Sequence, residues 1–152
     1  MPERKRVANA TSTDGFSAEE QAAMREAAAE RKRQAKSGGK REAGEKDVRA
    51  KIDEMGGSDR AIAEGLHAAV AEHAPHLAPK TWYGMPAYAN AEGKVVVFLQ
   101  AAGTFGTRYA TLGFQDAAQL DEGDLWPASF AVLDWTPAVA KRVAELVRRA
   151  AG

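Results

Sequence analysis

The chain has 152 residues, 21 basic and 21 acidic side chains, 45% hydrophobic residues and no cysteine. That length allows one domain with an appendage, and the missing thiols exclude disulfide scaffolds, cysteine catalysis and cysteine-ligated metal centres. The longest apolar run, Val95 to Leu99, falls far short of the roughly 20 residues of a membrane helix, and the basic start Met1 to Arg6 leads into no apolar signal segment; a cytoplasmic protein without membrane association is expected.

Charge is unevenly placed along the chain. Residues 1–46 carry 11 basic and 8 acidic side chains, and residues 47–152 carry 10 and 13. Beyond Met1, the first segment has only Val7, Phe16 and Met24 as large apolar side chains, too few to offset its ordering entropy. It reads as a basic flexible tail, disordered apart from a helix at about 17–36. Ser17 and Glu20 form the capping box of that helix, and Ala, Glu, Arg and Lys sustain it. Ser37-Gly38-Gly39 breaks it, and Lys40 to Lys46 reads as linker.

The domain proper is expected over 47–152. Asp47 to Met55 reads as a short helix ended by Gly56-Gly57. A second starts at Ser58 or Asp59 and runs to about His73, with Ile62, Leu66, Ala69 and Val70 on one face; Pro75 and Pro79 stop it. Lys80 to Tyr88 reads as an edge or bulged strand because it carries Gly84 and Pro86. Asn90 to Gly93 is a turn, and Val95 to Gln100 a central strand. Ala101 to Gly106 connects to a strand at Arg108 to Phe114. Asp116 caps a short helix, Asp121-Glu122-Gly123-Asp124 is an acidic loop, and Phe130 to Trp135 is the last strand. Thr136-Pro137 then starts a helix whose apolar face is Val139, Val143, Leu146, Val147 and Ala150. The short connections favour an antiparallel meander. Helices before and after it predict an α+β sandwich of two layers.

The most distinctive segment is Lys80-Thr81-Trp82-Tyr83-Gly84-Met85-Pro86-Ala87-Tyr88. It resembles the Lys-x-x-aromatic-Gly-Met-Pro-x-aromatic signature of the YdhG-like family of unknown function, and Gly93-Lys94 entering an apolar strand resembles that family's next element. The resemblance spans about residues 47–152. It implies a frataxin-like fold. It also implies, through the iron-chaperone label that members often carry, binding of ferrous iron by surface carboxylates.

Candidate sites follow from residue chemistry. Hard cations take oxygen ligands, so Asp53, Glu54, Asp59, Glu64, Asp121, Glu122 and Asp124 are the metal candidates; their alternative role is a solvated surface with helix caps. His67 and His73, six apart, lie roughly 120° apart around a helix and share no face. A second candidate is a ligand groove at Trp82, Tyr83, Gly84, Met85, Pro86, Tyr88 and Arg108, where a kinked edge with aromatic walls and an arginine suits a small anion or a peptide. Strand alternation would place Arg108 opposite Tyr109. No nucleophile elbow, phosphate loop or dinucleotide fingerprint is present, so binding rather than catalysis is expected. The basic stretch Arg31 to Lys36 with Lys40-Arg41 lacks aromatic residues, and nucleic acid is not the expected partner. Iron or a small molecule is, and the expected state is a monomer.

Overall fold

The computed structural model of the chain describes residues 16–37 and 41–152. Residues 1–15 of the tail expected at 1–46, the helix break at Gly38-Gly39 and Lys40 of the basic stretch lie outside the described residues. Three helices come first: α1 (Ala18–Ser37), α2 (Arg41–Asp53) and α3 (Gly57–His73). Strands β1 (Ala78–Trp82), β2 (Met85–Ala89) and β3 (Val95–Gln100) follow, then the one-turn helix α4 (Ala102–Phe105), β4 (Ala110–Phe114), β5 (Ser129–Val132) and the helix α5 (Pro137–Ala151).

The strands form one antiparallel sheet in the order β1-β2-β3-β4-β5, the expected meander. Partners across an antiparallel ladder share a face. Tyr88 pairs with Val97 and Val97 with Phe114; Leu99 pairs with Leu112 and Leu112 with Phe130. These rows meet Val48 and Ile52 of α2, Ile62, Leu66 and Val70 of α3, and Val143, Leu146 and Val147 of α5 in one buried cluster. Burying each such side chain contributes roughly 1.5–3 kcal/mol, so the helical layer and the sheet hold each other. The protein is a mixed α+β structure. Among the described residues no helix is long and apolar enough to cross a membrane.

Two helices begin as their sequences foretell. In α1, the Ser17 hydroxyl accepts from the Glu20 amide at 3.0 Å, and the Ser17 amide donates to Glu20 at 2.8 Å, closing the capping box. In α5, the Thr136 hydroxyl accepts from the Val139 amide at 3.2 Å with proline at the first helical position.

Other boundaries differ, each for a physical reason. Helix α2 starts at Arg41, so residues 41–46 are helical rather than linker. Gly44, Val48 and Ile52 stack at four-residue intervals, and a Cβ on Gly44 would overlap the Pro79 carbonyl of β1. Gly44 is a close-approach residue that lets α2 lie backbone to backbone on the edge strand. The Arg41 guanidinium donates to the Pro75 carbonyl at 2.8 Å and fastens the start of α2. Helix α3 is capped by Gly56 with no side-chain cap, not by Ser58 or Asp59. The Asp116 region is a turn, the Ala118 amide donating to the Gln115 carbonyl at 2.9 Å, and forms no helix. The single strand expected at Lys80 to Tyr88 is two strands with Gly84 in the turn between them, and the register shifts between Tyr88 and Ala89, away from Gly84 and Pro86. Strand β5 ends at Val132, three residues before the expected Trp135.

Candidate functional site

Strands β1 and β2 are joined by Tyr83 and Gly84 alone, with Trp82 opposite Met85. Both turn residues have positive φ, 53° and 79°, the requirement of a type I′ hairpin. Glycine meets it freely. A tyrosine in the left-handed region costs of order 1–2 kcal/mol. Tyr83 stays 41% exposed, its ring edge-on to Trp82 at 5.1 Å, and Trp82 packs on Phe98 at 5.1 Å.

Helix α1 supplies the group that holds this turn. Glu30 is only 3% exposed, and its carboxylate accepts from the Gly84 amide at 2.9 Å. Burial pushes its carboxyl above the usual value, and the nearby Glu26 adds to this; hydrogen bonds from the Gly84 amide, the Thr81 hydroxyl and the Tyr83 amide draw it partly back. A buried carboxylate therefore spans the strained turn and ties α1 to the sheet.

Beside this clasp lies a polar cavity of about 320 Å³, lined among others by Lys51, Glu54, Asp59, Gly84, Gly103 and Thr104. Its size is that of a small-molecule site. Lys51 comes from the last turn of α2 and pairs with Glu26 at 3.4 Å and Glu54 at 3.8 Å. Asp59, in the first turn of α3, accepts from the amides of Ala102 at 3.0 Å and Gly103 at 2.8 Å. It thus anchors α4 over the cavity. Helices α2, α3 and α4 and one hairpin tip converge here, with carboxylates outnumbering the single lysine.

The metal candidates are dispersed. Asp53 and Glu64 both bind Arg60, at 3.3 and 3.2 Å. Asp59 serves the α4 amides, and Glu122 meets Arg149 at 3.5 Å. Asp121 and Asp124 are exposed in the acidic loop. Glu54 and Asp59 border the same cavity. Among the described residues no group of three or more His, Asp or Glu is placed to hold a metal ion.

The ligand candidates divide as well. Trp82, Tyr83 and Gly84 form the hairpin tip, whereas Met85, Pro86 and Tyr88 are buried. Arg108 lies before β4 rather than in it, so strand alternation does not govern it; its guanidinium sits 5.3 Å from the Tyr109 ring centre.

Tyr88 takes part in an arrangement that spacing along the chain does not reveal. Its hydroxyl lies 2.8 Å from His67 Nδ1, and His67 Nε2 lies 2.7 Å from Glu45. The carboxylate can only accept, so Nε2–H donates to Glu45 and Nδ1 accepts the tyrosine proton. Burial, with Glu45 next, pushes the Tyr88 hydroxyl far above the usual tyrosine range. The chain has the donor order of a nucleophile–base–acid triad. Its terminal hydroxyl is sealed in the core, at 1% exposure, so the arrangement ties β2, α3 and α2 together rather than presenting a nucleophile. The helical angle between His67 and His73 says nothing about this, because His67 finds its partners on other elements. His73 pairs with Glu72 at 2.9 Å, and His76 donates to the Ala151 carbonyl at 3.2 Å.

No protein-family model matches the chain, and no curated protein or solved structure is significantly similar to it.

Proposed function

We propose that this is a binding protein for a small polar ligand, taken up in the cavity beside the Tyr83–Gly84 turn. The observation that carries the reading is the convergence of Lys51, Glu54, Gly84 and Thr104 on one cavity of about 320 Å³. A lysine among carboxylates suits a ligand with both an acidic and a basic or hydroxyl group. The strained turn at its rim is of the kind found at ligand clamps. The motif Lys80 to Tyr88, which carries the resemblance to the YdhG-like family, contributes this rim.

Iron carriage, the function that resemblance implies, is the second reading. It is favoured by Glu54, whose pairing with Lys51 is long and which borders the cavity. It draws little from Asp53, Glu64 and Glu122, which face arginines.

One titration separates the two. The protein is heated with amino acids, hydroxy acids and amino sugars, and with ferrous iron under anaerobic conditions, and its melting temperature is followed. A ligand that binds only the folded state raises it with concentration. The small-molecule reading expects a rise that Lys51→Met removes. Iron carriage expects a rise with ferrous iron that Glu54→Gln removes and Lys51→Met preserves. Stabilisation indifferent to both substitutions would sink both readings.

A further inference from the structure

The opposite edge of the sheet carries a second surface. Strand β5 is terminal, and among the described residues no strand pairs with its outer side. The Phe114 amide donates to the Ala128 carbonyl at 2.8 Å, and the register continues with Leu112 opposite Phe130 and Ala110 opposite Val132. In an antiparallel ladder, hydrogen-bonded residues alternate with residues whose N–H and C=O point away. Ala128, Phe130 and Val132 therefore face β4, and the backbone of Ser129, Ala131 and Leu133 faces outward. Ser129 and Ala131 are exposed, and Leu133 is 65% exposed.

An apolar groove of about 390 Å³ runs beside this edge, between β5 and α5, with Phe130, Leu133, Val139, Val143 and Leu146 in its walls. A second hollow of about 250 Å³ adjoins it near Trp126 and shares Phe130, Arg142 and Leu146 with it. The two hollows thus succeed one another along the strand, on either side of Phe130. Arg142 borders both. Its guanidinium lies 5.8 Å from the Phe130 ring centre, and among the described residues it makes no ion pair.

We infer that the free edge of β5 is a docking site for an extended segment of a partner protein whose inner face carries two apolar side chains with an acidic one between them. The added strand pairs with Ser129, Ala131 and Leu133. Alternate side chains on its inner face enter the two hollows, which is how strand-addition sites combine main-chain affinity with side-chain selection. The acidic residue meets Arg142, the cation that borders both hollows. This site is separate from the polar cavity and does not depend on it.

Three blocked heptapeptides test the inference, with glutamate at the fourth position, valine, leucine or phenylalanine at the second and sixth, and threonine elsewhere, so that all three test side chains share one face of the strand. Each is titrated into the protein and followed by amide NMR. At least one is expected to bind saturably, shifting the resonances of Ser129 to Leu133 and of Val139 to Leu146. N-methylation of alternate amides in that peptide abolishes the binding. So does Ala131→Pro, which removes an outward N–H and leaves the β4 ladder intact. Arg142→Gln weakens it about tenfold, the loss of one charge-assisted hydrogen bond, and replacing glutamate by lysine in the peptide weakens it at least as much. Absence of saturable binding by all three peptides overturns the inference. Binding that survives N-methylation also overturns it, because the groove then takes side chains without strand pairing; this arm stands even if the proline variant does not fold. Concentration-dependent self-association that Ala131→Pro removes overturns it in favour of a second copy of this chain.

Discussion

At the β1 edge of the sheet, Gly44 brings the backbone of α2 against the Pro79 carbonyl, and Glu30 of α1 caps the hairpin turn. At the β5 edge, Ser129 and Ala131 are exposed beside an apolar groove. An unpaired strand edge invites addition of another strand, and proteins usually blunt it with a covering element, charge or proline. The β1 edge is blunted twice, by a helix and by Pro79 within the strand. The β5 edge is only kept short, at four residues. Protection of one edge and exposure of the other are what make the second read as a surface for use.

Substitutions at the two edges should therefore differ sharply in cost. Gly44→Val forces a side chain into the β1 backbone, and we expect a loss of about 3 kcal/mol or more, read by chemical denaturation. A near-neutral result would mean that α2 does not cover the edge as described.

Next in size is the tie behind that edge. His67→Ala leaves the Tyr88 hydroxyl buried without its acceptor and should cost about 2 kcal/mol or more. The pair His67→Leu and Tyr88→Phe removes both partners with less change of shape. A double-mutant cycle with the single variants should show coupling of about 1 kcal/mol or more; strict additivity would deny the hydrogen bond any energetic role.

Tyr83→Asn should act in the other direction. It puts a residue tolerant of positive φ into the turn and should stabilise by roughly 1 kcal/mol. If the turn is part of the ligand site, the same change weakens binding, and the two effects can be read separately.

Glu30 gives a pH-dependent term of known sign. Its folded pKa is raised above the ordinary 4.5, so the native state holds the proton more tightly than the unfolded chain. Its contribution is most favourable at and below that value and declines as pH rises through the raised pKa. The stability difference between wild type and Glu30→Gln should therefore shift against wild type as pH increases from 4.5. A flat difference across that range would remove the burial argument.

The smallest effect belongs to the open edge. Ala131→Pro should change stability by no more than about 0.5 kcal/mol, whereas it should abolish strand addition.

Much of the scaffold was legible beforehand. The faces of α3 and α5, the start of α5 at Thr136-Pro137, the strand Val95 to Gln100 and the meander all follow from local periodicity and capping chemistry. What escaped has a common cause, in that the deciding partner lies far away along the chain. Residues 41–46 read as linker until β1 is beside Gly44. Nothing along the chain singles out Glu30, because α1 has few large apolar residues and the turn it serves lies 54 residues on. Tyr83 is not a turn former, so the hairpin hid inside an aromatic strand. Of the candidate residues, Gly84, Glu54 and Asp59 meet at one cavity, although they were assigned to two different chemistries. The groove beside β5 joins residues from separate elements and has no signature along the chain.

The strand order also bears on how the molecule assembles. Every strand pairs with its immediate neighbour in sequence, so no connection has to cross the sheet, and the longest link is residues 115–128 between β4 and β5; loop closure is the entropic toll on folding speed. The distant closure is the packing of α5, at the end of the chain, against α3 before the first strand. The meander should thus gather early from its hairpins, with the α3–α5 contact sealing the core last. Mutations in the α5 face, such as Val147→Ala, should then accelerate unfolding while leaving the folding rate nearly unchanged.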